Sequence, residues 1–266
     1  MRVRSFLPNR TVLRRMISLI VIAAVTAIVF LIFRHNTPTD SIIAEELPFL
    51  LMGWMLDCYD ISTWAVSLSM TVFKGLPLWL FLCCFGPFVY SDWTADQVYV
   101  ICRLKSRKKR YLTRCLQLFL YACATAAIYT AELFAFLWPQ VKGLLFTTLA
   151  SSAVRVFISV CGICFSFALL QSLVSLLFGS SIGFLSSSAI WCLSLLLVPT
   201  YLFWCKPNQP WHSIVSVYTS AFLGVSQIAS IGWLLGSVAL HCVVLTVIGM
   251  IMIERCDLGL TDQDAV

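Results

Sequence analysis

An all-α polytopic membrane protein, with one transmembrane domain over residues 1–266, is the fold class this sequence predicts. Hydrophobic residues make up 60% of the chain and charged residues 11%. Mean hydropathy therefore reaches +0.92, which leaves too little polar surface to cover a water-soluble globule. The apolar residues fall in continuous runs and do not alternate. That is the pattern of membrane helices, because only helices and closed barrels satisfy every backbone group in lipid. The 18 basic residues against 12 acidic ones cluster beside those runs and form no stripe interleaved with stacking aromatics. This argues against nucleic acid as a partner and fits membrane topology and anionic lipid.

Six transmembrane helices are expected. The first, 16–33, follows Arg2, Arg4, Arg10, Arg14 and Arg15 and precedes Arg34 and His35. It is long enough to span and no small-residue cleavage site follows, so it reads as an anchor with its amino terminus inside. Residues 36–74 carry Asp40, Glu45, Glu46, Asp57 and Asp60 and suit an outer loop. The apolar patch 47–56 within it is too short to cross and reads as surface-lying or re-entrant. The second span, 75–90, holds Pro77 and Pro87, each expected near an end, where proline is best tolerated.

After a polar stretch, 91–114, the third span covers 115–137 and stops at Trp138 and Pro139, with Trp138 as an interface anchor. An outer turn holding Lys142 leads to the fourth span, 156–178, preceded by Arg155. The polar turn 179–183 leads to the fifth, 184–204. Lys206 to Pro210 marks another outer loop. The stretch 211–230 is apolar but rich in Ser, Gly and Thr; counting it as a span would put the carboxyl terminus outside and leave almost no turn before the last strong run, 231–253. It therefore reads as surface-lying or re-entrant, and both termini lie inside.

Basic residues check this arrangement. The amino end, the 91–114 stretch and the carboxyl end hold thirteen Lys and Arg, whereas the outer loops and their flanks hold five. Inverting the molecule would carry the basic block across the bilayer, at about 2.5–3.5 kcal/mol for each charge placed at mid-membrane.

Enzymatic chemistry finds no support in the motifs. Ten of the 12 cysteines lie in or beside apolar runs or on the inner side, where free Cys packs as a small hydrophobe. Cys161 and Cys164 have C-x-x-C spacing but lack a second ligand pair and a strand–helix setting. Only Cys58 and Cys205 fall near the outer face. Gly-Ser-Ser-Ile-Gly at 179–183 fits G-x-S-x-G, yet the nucleophile elbow needs a strand before it. His35, His212 and His241 lie in separate segments, so neither a metal site nor haem ligation is indicated. There is no phosphate-binding G-x-x-x-x-G-K-[ST] loop. Glu132, late in the third span, and Arg155, opening the fourth, are the intramembrane or interfacial charges, expected near the same outer level of a hairpin and able to pair.

The stretch between the second and third spans carries the strongest functional signal. Thr94-Ala95-Asp96-Gln97 matches the S/T-x-x-E/Q capping box, and Asp92 and Asp96 favour a helix amino terminus. Trp93, Val100 or Ile101, and Leu104 then recur at three-to-four-residue spacing, opposed by Asp96, Arg103 and Arg107. Six basic residues lie within the eight positions 103–110. An amphipathic helix over about 92–110, on the inner membrane surface, is expected; a basic loop that merely fixes topology is the plainer alternative.

Residues 90–111, Tyr-Ser-Asp-Trp-Thr-Ala-Asp-Gln through Arg103, Ser106-Arg107 and Tyr111, resemble the connection between the second and third spans of type 2 class ABC exporter permeases. In that family an acidic amphipathic stretch leads to an arginine, a Ser-Arg pair and an aromatic residue opening the next span. The six-span plan looks closest to small permeases of bacteriocin or lantibiotic export and immunity systems. The resemblance implies a multi-pass protein of a bacterial cytoplasmic membrane with both termini cytoplasmic. It also implies a cytoplasmic coupling helix that docks on a separate ABC ATPase. Asp92, Trp93, Asp96, Val100, Ile101, Arg103, Leu104, Lys105 and Arg107 would form the docking face, and ATP and Mg would be bound by that partner. A second copy or a sibling permease would complete the path. Two other classes remain: a non-transporting membrane immunity or sensor protein, and an ion- or proton-coupled carrier, for which buried acids are scarce.

Overall fold

A computed structural model describes residues 10–36, 61–93, 107–141, 146–204 and 231–255. Among these it contains six α-helices and no strand: α1 (Arg10–Asn36), α2 (Ile61–Phe85), α3 (Arg107–Val141), α4 (Phe146–Phe178), α5 (Ser180–Trp204) and α6 (Ile231–Arg255). A 3-10 turn, Tyr90–Trp93, follows α2. Four helices hold stretches long and apolar enough to cross a membrane: Val12–Ile32, Arg107–Trp138, Phe146–Phe178 and Leu234–Ile253. The other two present shorter apolar stretches, Gly75–Phe85 and Ser180–Leu193. Each helix overlaps one expected span. The segments 47–56 and 211–230 lie outside the described residues.

Boundaries differ from the sequence expectation wherever a helix outruns its apolar core. Helix α2 starts at Ile61 and not at residue 75, so Pro77 lies inside the helix and not near its end. No Gly or Pro interrupts residues 61–74, and an interior proline is tolerated where neighbouring groups re-satisfy the freed carbonyl. Helix α3 starts at Arg107, whereas the third span was expected from 115 and the coupling helix through 110. Lys and Arg are good helix formers, so the basic run 107–110 simply extends the helix beyond its apolar core. Helix α4 likewise begins at Phe146, ten residues before the expected start.

Side-chain contacts fix the direction of every helix. Between α3 and α4, Phe119 meets Phe165 edge-on at 5.5 Å, and the Cys123 and Cys161 sulfurs lie 3.6 Å apart; a step forward on one helix matches an equal step back on the other. Between α4 and α6, Gly162 sits against Val238 and the Ser166 hydroxyl lies 3.7 Å from the Cys242 sulfur, a parallel register. Helices α2 and α5 are antiparallel, with Gly75 on Trp191 and Trp79 beside Phe184 at 5.9 Å. Helices α1 and α3 are parallel: Arg15 lies over Tyr121 and Phe30 meets Tyr129 at 5.1 Å. The six helices thus alternate in direction, and the start of α1 and the end of α6 lie at the same end of the bundle.

Helix α4 is the axis of this packing. Residues 159–169 are all buried, and α4 contacts α2, α3, α5 and α6. The α4–α5 connection is a single residue, Gly179, with φ of 90°. Its amide donates to the Ser175 carbonyl at 2.9 Å, and the Gly183 amide donates to the Gly179 carbonyl at 3.0 Å. That left-handed backbone is open to glycine at little cost and closes the hairpin without a loop.

Candidate functional site at the basic end of the bundle

The start of α1, the end of α2, the start of α3 and the α4–α5 turn all converge at one end, which also carries Arg14, Arg15, Arg107, Lys108, Lys109, Arg110 and Arg114. Helix α2 stops here because Gly86 and Pro87 follow Phe85, and proline cannot continue the hydrogen-bond ladder. The Phe88 amide donates to the Phe85 carbonyl at 3.0 Å and the Ser91 amide to the Pro87 carbonyl at 2.7 Å. The Ser91 hydroxyl adds a bond to the Phe88 carbonyl at 3.0 Å. These local bonds fold the backbone tightly and turn the buried Phe88 ring inward.

Phe88 belongs to an aromatic ladder. Phe81 stacks on Phe85 at 4.9 Å, Phe85 stacks on Tyr121 at 4.9 Å, and Phe88 meets Tyr121 edge-on at 5.7 Å. Two guanidinium groups then share the last ring. Arg15 Cζ lies 4.3 Å from the Phe88 centroid and Arg114 Cζ 5.5 Å from it, both within cation–π range. Arg114 also donates from Nη1 to Gln117 Oε1 at 2.9 Å, which orients its fork. One ring therefore joins α1, the turn after α2, and α3.

Beside this cluster lies a buried polar joint. The Ser172 hydroxyl of α4 donates to the Gly86 carbonyl at 2.6 Å, supplying a donor at the point where α2 loses its own ladder. The Gln171 side chain packs directly on Gly86, leaving no room for a Cβ there. Its Oε1 accepts from the Ser187 hydroxyl of α5 at 3.4 Å. The end of α2 is thus bonded to α4, and α4 to α5, through side chains that are all buried.

Of the residues expected to form the docking face, Asp92 and Trp93 fall in the 3-10 turn, and Arg107 is the half-buried first residue of α3. Asp96, Val100, Ile101, Arg103, Leu104 and Lys105 lie outside the described residues. Glu132 and Arg155 sit on α3 and α4 toward the opposite end of the bundle, both partly buried. Glu132 Oε2 is buried and accepts no hydrogen bond from Arg155 or any other group. The α3–α4 register sets Glu132 level with Ser152 and Thr125 level with Ser159. The Thr125 and Ser159 hydroxyls are also buried without a partner.

Sequence reasoning had treated Arg15 and Arg114 only as topological charges and had not singled out Phe88, Tyr121, Gln171 or Ser172. The one available signal was the Gly-Pro-Phe sequence at 86–88, which marks a helix stop followed by an aromatic residue. Among the described residues no group of three or more His, Cys, Asp or Glu is placed to hold a metal. No protein-family model, curated protein or solved structure matches the chain.

Proposed function

We propose that the chain is the membrane subunit of an ATP-driven exporter in a bacterial cytoplasmic membrane, moving a peptide or another amphipathic substrate. In this reading all six helices span, both termini are cytoplasmic, and the segment 92–110, which leaves the 3-10 turn and ends in the first turn of α3, carries the lever on which a separate ABC ATPase docks. ATP and Mg belong to that ATPase, and a second copy or a sibling permease completes the path.

The observation that carries the reading is the anchoring of both ends of this basic segment. Phe88, just before it, and Arg114, just after it, belong to one aromatic–cationic cluster, and Gly86 is bonded to α4 through Ser172. Force applied to the segment would reach α2 and α3 together and pass to α4 and α5. Alternating access requires that kind of transmission, in which a rigid element moves packed helices against one another. A basic loop serving only topology would need neither anchor. The capping box at 94–97 and the apolar spacing of Val100, Ile101 and Leu104 are the sequence signals of an amphipathic helix with a docking face.

The test is co-purification of the ATPase encoded beside this chain, together with export of its substrate. Asp96→Arg and Arg107→Glu should each weaken both. Unchanged association and unchanged export in both variants would remove the docking role. Loss of export with a catalytically dead ATPase favours the transporter; retained resistance to a toxic peptide under that condition favours the immunity or sensor alternative.

A further inference from the structure

The clamp of two arginines on one ring has a chemical use beyond holding helices together. Arg15 is the last residue before the apolar core of α1, beginning at Met16, and Arg114 is the last before that of α3, beginning at Cys115. Because α1 and α3 are parallel and both guanidinium groups reach Phe88, the two cations stand at the same depth. In a bilayer, charges that border such apolar runs are favoured at headgroup depth. Immediately toward the membrane interior, both helices turn large apolar side chains outward. On α1 these are Met16, Ile17 and Ile20, the last 65% exposed; on α3 they are Leu116, Phe119 and Leu120, with Leu116 60% exposed.

A cationic pair above two exposed apolar strips has the polarity of a phospholipid read in reverse. Guanidinium groups bind phosphate oxygens through planar forks of N–H donors. The Phe88 face and the Gln117 acceptor hold those forks in place, so less side-chain freedom is lost when the anion arrives. We propose that Arg15 and Arg114, presented by Phe88, form a headgroup site for one anionic phospholipid whose acyl chains lie along Met16, Ile20, Leu116 and Leu120. The site requires that the chain sit in a bilayer, but not that it export anything. Its success or failure is therefore separate from the docking of an ATPase.

The test uses the purified full-length protein and native mass spectrometry with phosphatidylglycerol or phosphatidylcholine of identical acyl chains. The wild type should retain phosphatidylglycerol over phosphatidylcholine, and excess inorganic phosphate should not displace it, because the apolar strips contribute to binding. Arg15→Gln with Arg114→Gln removes two charge-assisted contacts and should cut retention by about tenfold or more. Arg14→Gln with Lys108→Gln makes the same change in charge at the same end but should leave retention nearly intact. Equal retention of the two lipids, or displacement of phosphatidylglycerol by phosphate, would overturn the site on the wild type alone, whether or not the double variant folds. An equal loss in the two double variants would also overturn it, by showing a bulk electrostatic effect.

Discussion

The Ser172 hydroxyl donates to the Gly86 carbonyl at 2.6 Å, linking the last turns of α4 to the residue at which α2 ends. Within a membrane-embedded bundle that carbonyl has no water to turn to, so the bond replaces an unmet acceptor and not merely a hydrated one. Ser172→Ala should destabilise the protein by about 1–3 kcal/mol. Gly86→Ala should cost less, because the new methyl meets only the far end of the flexible Gln171 side chain, which can swing away at the expense of its bond to Ser187. Thermal unfolding in detergent reports both. If the joint transmits motion, Ser172→Ala will also lower export more than it lowers ATPase binding, and equal losses would mark it as structural only.

The α3–α4 register predicts a covalent outcome. Cys123 and Cys161 face one another with sulfurs 3.6 Å apart, so modest rotamer shifts would bring them to bonding distance. Oxidation of membranes with a copper–phenanthroline complex should form an intramolecular disulfide between them. Mass spectrometry after proteolysis will detect it, and Cys161→Ser should abolish it. Free thiols at both positions after full oxidation of the other cysteines would contradict the register.

The positions of the six helices were legible because each carries an apolar run, in four of them long enough to cross a membrane. Their ends were less so. Apolar character ends at the hydrocarbon boundary while the helical hydrogen-bond ladder continues, which is why Arg107 to Arg110 and the first ten residues of α4 joined helices that the apolar pattern had cut short. Beyond the α3–α4 hairpin that set Glu132 and Arg155 at one level, contacts between particular side chains were not legible. When both faces of a helix are apolar, periodicity no longer tells protein from lipid, so nothing in the pattern paired Cys123 with Cys161 or brought Phe88 beneath Arg15. The buried Gln171 and Ser172 were hidden for a related reason: their partners are a carbonyl and a hydroxyl contributed by other helices, and no local spacing encodes them.

Helices α4 and α6 meet where Gly162 faces Val238, and a methyl built on Gly162 would lie 2.6 Å from Val238 Cγ1. Small residues at such crossings let helix backbones approach closely in membranes. Gly162→Leu should therefore push α6 away and destabilise by about 1–3 kcal/mol. Adding Val238→Ala should recover part of that loss, because the two residues share one space and couple non-additively. Additive effects in the double-mutant cycle would mean that the helices do not meet there.

Glu132 presents the sharpest conflict between stability and polarity in the bundle. Its buried Oε2 atom has no hydrogen-bond donor, and polar groups left unmet in an apolar interior cost about 1–3 kcal/mol. A carboxyl group serving only to hold α3 against α4 would have a donor, and removing it would cost about 3–5 kcal/mol. Glu132→Gln should instead leave unfolding unchanged or raise stability by about 1 kcal/mol; under the proposed exporter role, transport should fall, since carboxyls within membrane spans persist chiefly for function. A strong loss of stability would instead mark Glu132 as structural. A catalytically dead ATPase separates two classes of transport. An exporter driven by ATP should fail with a catalytically dead ATPase even when Glu132 is intact. An ion- or proton-coupled carrier should run without the ATPase and stop with Glu132→Gln.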